Sequence, residues 1–354
     1  MKINLKMPAY AMAFTLLFQS CIKDPPANPE ADIEQFKVES KLLTGDVFID
    51  QANRIITLNL TEAAFKEGIA PQILVSQGAR VEPASGTKIT FDQEMSYVVT
   101  SASGENKKTY QVKIVNVGHW DFDFENWMAN SADQYQYPIE SNNTQVWSSG
   151  NPGVALAGVP KRADAYPTQS TSDGYLGTKA ASMSTIKGTA LSEFIGVKLF
   201  AGSIFLGDFK SAEALFNPLA ATEFGQPYLS GQPARFTGYY KYAPGPVLQD
   251  RDGNPINGQT DQCSIYAVVY NGTERLNATN IMTSDRVIAK AVLADGSAKE
   301  TFTRFDIPFI YIPGAVRAEN IMVAIVASSS ARGGEYVGAL GSKLIIDSLR
   351  IIPQ

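Results

Sequence analysis

From residue 33 to the C-terminus, turn residues cut the chain into short apolar segments, and no long helical stripe runs between them. "ILVSQ", "SYVVTSA" and "TYQVKIV" read as strands, and "QAN", "ASG" and "SGENKK" as the turns that separate such strands. Only "TEAAFKEG" in this first stretch suits a helix, as a single-turn connection. A chain punctuated in this way cannot build helical layers. It must bury its apolar faces sheet against sheet, so the fold class is all-β.

A chain of 354 residues is long enough for two such bodies. Residues 33–117 open with a hairpin, "DVFID-QAN-RIITLNL", and carry enough short strands for an Ig-like sandwich. Residues 118–354 supply the segments "VKLFAGSIFLG", "RFTGYYKYAP", "CSIYAVVY", "DRVIAKAVLA", "FTRFDIPFIYI", "NIMVAIVASSS" and "KLIIDSLRII", among others. That count predicts a jelly-roll sandwich with long loops. The Pro-, Gly- and Ser-rich stretch 131–173 reads as loop with one strand around Val146.

Residues 1–20 read as a targeting segment. Lys2 and Lys6 precede an apolar run from Met7 to Phe18. The run is shorter than the roughly 20 residues a bilayer-spanning helix needs and suits the core of a signal peptide. It ends in Phe18-Gln19-Ser20-Cys21, which resembles a lipobox, so Cys21 is the expected lipidation site; an ordinary cleaved signal with a chance cysteine is the other reading. Residues 21–32 are polar and Pro-rich, a tether. The expected location is the outer membrane, on its periplasmic or cell-surface side, with membrane contact through the lipid anchor alone. If Cys21 is acylated, Cys263 has no partner for an internal disulfide, and inside "CSIYAVVY" it reads as a buried packing residue.

Charge and histidine content exclude several functions. The net charge of −5 gives no electrostatic case for binding nucleic acid. With one histidine, His119, a zinc site built from several imidazoles is impossible.

Four segments carry a family resemblance: "FDFENW" (122–127), "FTGYYKYAPG" (236–245), "DQCSIYAVVY" (261–270) and "VASSSARGGEYVGALGSKLIIDSL" (326–349). In this order they resemble the putative carbohydrate metabolism domain family. Residues 69–115 resemble the Ig-like modules that follow the anchor in surface lipoproteins of glycan-degrading bacteria. The resemblance implies a galactose-binding-like jelly roll, a fold used by many carbohydrate-binding modules, behind a spacer domain.

Alternation in "RFTGYYKY" puts Phe236, Gly238, Tyr240 and Tyr242 on one face and Arg235, Thr237, Tyr239 and Lys241 on the other. The first set reads as core. The second offers an aromatic ring to stack on a pyranose, with Arg235 and Lys241 as donors to hydroxyls. Trp147, in a polar stretch, is a second stacking candidate. Trp120 and Trp127 read as core beside Phe122 and Phe124.

"KLIIDSLRII" poses a puzzle. Ile345, Asp347, Leu349 and Ile351 share one face, and an unpaired acid there would be costly. Jelly rolls commonly bring their terminal strands together, so Glu125 and Asp347 are expected to meet. Sugar-binding jelly rolls with a similar "Phe-Glu" and "Asp" pair imply a structural Ca²⁺ held by Glu125 and Asp347; the alternative is that Asp347 accepts backbone N–H or Ser/Tyr bonds, with Glu125 paired to Lys or Arg. The Asp250, Asp252, Asn254 series is not an EF-hand, because Pro255 occupies the place of its glycine, and reads as a turn.

The partner these features fit is an oligo- or polysaccharide, bound without catalysis, with other surface glycan-utilisation proteins as further partners. Two alternatives stay open. A glycoside hydrolase would use a carboxylate pair drawn from acids such as Asp208, Glu213, Glu223, Asp261, Asp306 and Glu335. A structural or adhesive component of a surface complex would need only the anchor and the sandwiches.

Overall fold

The computed structural model describes residues 27–354 apart from 44–46, 92–94, 115–119, 141–143, 215–216, 229 and 319. The expected signal segment, Cys21 and the rest of the first half of the tether lie outside the described residues, as does His119.

The first body is an Ig-like sandwich. Strands Phe48–Asp50, Ile55–Leu58, Lys107–Ile114, Met95–Thr100 and Arg80–Glu82 form one sheet in that order. Ile33–Lys37 and Gln72–Val75 pair antiparallel in the other. Ile33, Phe36, Ile56, Leu58, Tyr97, Val99 and Tyr110 fill the space between them. The hairpin at 48–58 forms as expected. "TEAAFKEG" holds a short helix, Glu62–Glu67, whose first turn is capped by the Thr61 side chain accepting from Ala64 N–H. Ile89 forms a single bridge to Ile69.

The second body is built on two large sheets. One contains Trp147–Ser149, Ser203–Phe209, Ile321–Ser328, Ser264–Asn271, Val287–Val292 and Ile310–Tyr311, with Thr222–Phe224 and Gln226–Pro227 alongside. The other runs Thr168–Thr171, Ala180–Ser184, Lys343–Pro353, Pro233–Ala243, Lys299–Pro308. Between them lie Trp120, Phe122, Phe236, Tyr240, Ile265, Ile325, Leu344, Ile346 and Leu349. The first strand, Asp121–Phe122, pairs with the last, placing Phe122 opposite Leu349. The ends of this jelly roll therefore meet, as expected.

The stretch 131–173 holds more structure than its composition suggested. It carries strands Gln136–Ile139, Trp147–Ser149 and Thr168–Thr171 and a helix, Asn151–Leu156. Polar residues here are inside: Asn151 and Thr168 are fully buried, and the Asn151 side chain holds the Thr168 backbone, Nδ2 donating to Thr168 O at 2.6 Å and Oδ1 accepting Thr168 N–H at 3.1 Å. Burial through hydrogen bonding, in place of burial through apolar side chains, hid the strands.

The two bodies are joined by charge. Lys113 of the first reaches Asp208 of the second at 2.7 Å, and Arg275 Nη1 reaches the other Asp208 oxygen at 2.7 Å. Lys210 pairs with Glu223 at 2.6 Å, and Asn53 Nδ2 donates to Glu223 Oε2 at 3.0 Å. Burial acts to raise the Asp208 carboxyl, but Lys113 and Arg275 outweigh it and hold it at about 2.

Candidate functional site

The site is built on strand Pro233–Ala243. Its alternation follows the sequence reading except in burial at one position: Phe236, Tyr240 and Tyr242 are buried and Arg235, Tyr239 and Lys241 face outward, but Thr237 of the outward set is also buried. Gly238 keeps the core face flat. A Cβ there would sit 2.5 Å from Leu349 Cδ2 and 2.8 Å from Phe305 Cζ.

On the outer face, Tyr239 stands opposite Arg304, and Thr237 opposite Asp306, of the neighbouring strand. Asp306 binds Arg235 at 2.5 Å and Arg304 at 2.9 Å. Lys241 Nζ pairs with Asp173 at 2.7 Å and lies 5.7 Å from the centre of the Phe302 ring. Phe302 points outward because it is an odd number of residues from the buried Phe305.

The loop between Thr171 and Ala180, "SDGYLGTK", crosses this face. Its Tyr175 ring lies against Tyr239 with centroids 3.7 Å apart and planes 20° from parallel, and lies 5.7 Å from Phe302. Tyr175 is 42% exposed. Its phenol is held above the ordinary value by a hydrogen bond to Tyr239, aided by burial. The ring open to solvent is therefore Tyr175, with Tyr239 beneath it.

Asp347 and Glu125 hold this loop. The fully buried Asp347 accepts Tyr175 N–H at 2.7 Å and Leu176 N–H at 3.1 Å on one oxygen, and Ser348 Oγ at 3.1 Å on the other. Glu125 accepts Thr178 N–H at 2.8 Å, Lys179 N–H at 3.0 Å and Thr178 Oγ1 at 2.7 Å. Gly177 is required where the chain passes Glu125: its φ is +87°, and a Cβ would fall 2.2 Å from Glu125 Oε1. Burial raises the Asp347 carboxyl against the pull of its N–H donors. Burial also acts to raise Glu125, but there the donors win and the carboxyl is lowered.

The puzzle of the last strand resolves at a β-bulge. The register against Pro233–Ala243 shifts between Asp347 and Arg350, and Ser348 adopts φ +52°. Leu344 and Ile346 face the core before the bulge, and Leu349 and Ile351 after it. Asp347 is thus not on the core face. It points to the outer side of the sheet, under the loop.

Two sequence expectations need correction. Trp147 is not a surface stacking residue: it is 1% exposed, on a strand, with Phe122 at 5.0 Å and Phe124 at 5.1 Å ring to ring. The Ca²⁺ site does not fit either. Both oxygens of Glu125 and of Asp347 accept from N–H or O–H groups, whereas calcium needs six to eight oxygen donors turned towards it. Among the described residues no cluster of three or more His, Cys, Asp or Glu could hold a metal. The two acids hold the two halves of one loop, Asp347 at Tyr175 and Leu176 and Glu125 at Thr178 and Lys179. Other expectations hold: Cys263 is buried, and Asp250 accepts Asp252 and Asn254 N–H in a turn.

Tyr175, Phe302 and Asp173 escaped sequence reading as site residues, and Asp306 was read only as one of the acids open to a hydrolase. For Tyr175 a signal existed, a lone aromatic between glycines in a polar loop. Of the acids considered for catalysis, Asp306 lies on this face, paired with Arg235 and Arg304, while four others are engaged elsewhere. Asp208 and Glu223 share Arg275 at the domain junction, at 2.7 and 3.8 Å. Asp261 accepts from Ser330, Ser342 and Ala339 N–H inside the protein, and Glu335 pairs with Arg332. Glu140, not singled out from sequence, is pushed up to about 7 by burial and the nearby Asp123 charge.

The fold and this surface define a two-domain β-sandwich protein, an Ig-like body followed by a jelly roll with an aromatic and charged outer face. Residues 123–352 match the putative carbohydrate metabolism domain, and residues 33–114 match the N-terminal domain of SGBP, the surface glycan-binding proteins. The chain belongs to the putative carbohydrate metabolism domain family. It is similar to a putative glycoside hydrolase from Bacteroides thetaiotaomicron, with 32% identity over 94% of this chain and 99% of the other and a TM-score of 0.70. It is also similar to a putative glycoside hydrolase from Bacteroides vulgatus, with 30% identity over 67% of this chain and 98% of the other and a TM-score of 0.61. No curated protein matches the sequence.

Proposed function

We propose that the protein is a surface-anchored lipoprotein that binds glycan, without catalysis, on the outer face of the Pro233–Ala243 sheet. Tyr175, backed by Tyr239, supplies the stacking surface. Phe302 extends it, and Lys241, Arg235 and Arg304 donate to sugar hydroxyls. The observation that carries this reading is the exposed Tyr175 ring on Tyr239, an apolar plate rimmed by hydrogen-bonding side chains. The match of residues 33–114 to a surface glycan-binding protein domain supports it. Anchoring through acylated Cys21 at the outer membrane, with residues 33–117 as spacer, would hold this face away from the membrane beside other glycan-utilisation proteins.

A glycan-array screen of the whole protein, run beside a reducing-sugar assay, tests this reading. Binding without sugar release is the expected result. Release that disappears in Glu140→Gln would favour a second reading, glycoside hydrolysis. The raised Glu140 carboxyl beside Asp123 and the resemblance to putative glycoside hydrolases support that second reading.

A further inference from the structure

A stacking platform is only as good as its rigidity, and here the exposed ring sits on a loop. A free loop tyrosine samples several rotamers, and ordering it on binding would cost affinity. The loop 173–179 contains two glycines, Gly174 and Gly177, and no regular secondary structure. Yet four of its consecutive or nearly consecutive N–H groups, those of Tyr175, Leu176, Thr178 and Lys179, go to two carboxylates. The carboxylates come from opposite ends of the domain sequence, and neither belongs to the loop's own hairpin.

We propose that Asp347 and Glu125 are positioning residues for Tyr175, pinning the two halves of its loop so that the ring is pre-set on Tyr239 for a sugar. This deepens, and rests on, the reading of this face as the glycan site. Three features of the chain serve the arrangement. The bulge at Ser348 turns Asp347 from the direction of the core to the underside of the loop. Phe124, with φ +54°, redirects the chain immediately before Glu125. Gly177 lets the loop backbone pass against the Glu125 carboxylate. A carboxylate accepting from a backbone N–H makes a stronger bond than a neutral acceptor would, which suits a strap that must stay put. Lys241, bonded to Asp173 at the entry to the loop, ties the donor side chain to the same segment.

Two measurements on the whole protein test this. Hydrogen exchange reads the strap with no ligand present. In Asp347→Ala, protection at Tyr175 and Leu176 is expected to fall by about tenfold or more, while the core strands keep theirs. Unchanged protection would overturn the proposal whether or not any glycan binds, whereas a wild-type chain that binds no glycan would remove the reading of the face. The second measurement is a double-mutant cycle, with retardation in gels containing xyloglucan, arabinan, galactomannan or pectin as the readout of affinity. Asp347→Ala alone is expected to weaken binding about tenfold. In a Tyr175→Ala background it is expected to change affinity by less than about twofold, because its effect passes through that ring. Losses that multiply in the double variant would overturn the proposal. Should Asp347→Ala not fold, Glu125→Ala reads the other half of the loop in the same cycle, with exchange followed at Thr178 and Lys179.

Discussion

The Tyr175 and Tyr239 rings lie nearly parallel with centroids 3.7 Å apart, though they come from a loop and from the middle of an 11-residue sheet strand beneath it. The contact converts a mobile type of segment into part of the sheet surface. It also fixes which ring a ligand meets first, the exposed Tyr175. Each of the following expectations depends on that face or on the body that carries it.

Removal of divalent metal should leave the protein unchanged. The oxygens of Glu125 and Asp347 are satisfied by protein donors, so EDTA or added Ca²⁺ is expected to leave the melting temperature where it is. A rise in melting temperature with Ca²⁺ concentration would mean that a metal binds the folded state and that the fit argued from the donor set is wrong.

Trp147→Ala should fail as a core variant fails. Loss of an indole packed on Phe122 and Phe124 is expected to cost about 3–5 kcal/mol. Trp147→Phe should keep glycan binding with a smaller loss of stability. Selective loss of binding in Trp147→Phe, at an unchanged melting temperature, would return the residue to the ligand surface.

Gly238→Ala tests the flatness of the platform strand from below. The added methyl meets Leu349 and Phe305 at separations no real Cβ keeps. Overpacking of this kind costs about 1–3 kcal/mol, read as a lowered melting temperature.

How much of this was legible in the sequence follows from periodicity. Strand Pro233–Ala243 could be read side by side because nothing interrupts its alternation between Arg235 and Tyr242, and its outward set was correctly separated from its core set. The same reading failed at "KLIIDSLRII", where one left-handed residue, Ser348, shifts the register and moves Asp347 off the face that holds Leu349 and Ile351. A bulge leaves no mark in a period-two pattern. Tyr175 was missed because a loop has no period at all; its place over Tyr239 is set by acids distant in sequence. Trp147 was misplaced because its polar neighbours Ser148, Ser149 and Asn151 are themselves buried.

The junction of the two bodies should weaken in acid. The folded Asp208 carboxyl, at about 2, lies below its unfolded value of about 3.9, so its contribution is complete above the unfolded pKa and is lost as pH falls towards 2. Asp208→Asn is expected to remove about 2–3 kcal/mol, less than a fully buried pair would lose because Asp208 keeps 21% exposure. Calorimetry checks both statements. Separate unfolding of the two bodies should emerge in Asp208→Asn, or in the native protein between pH 4 and pH 2.

The most direct test is titration of Tyr175→Ala with the strongest glycan found on the array, beside the unaltered chain. Affinity is expected to fall by about tenfold or more, since an exposed stacking ring at the centre of a site carries a large share of its binding energy, while the melting temperature stays within a few degrees. Equal affinity in the two proteins would contradict the assignment of this face as the glycan site.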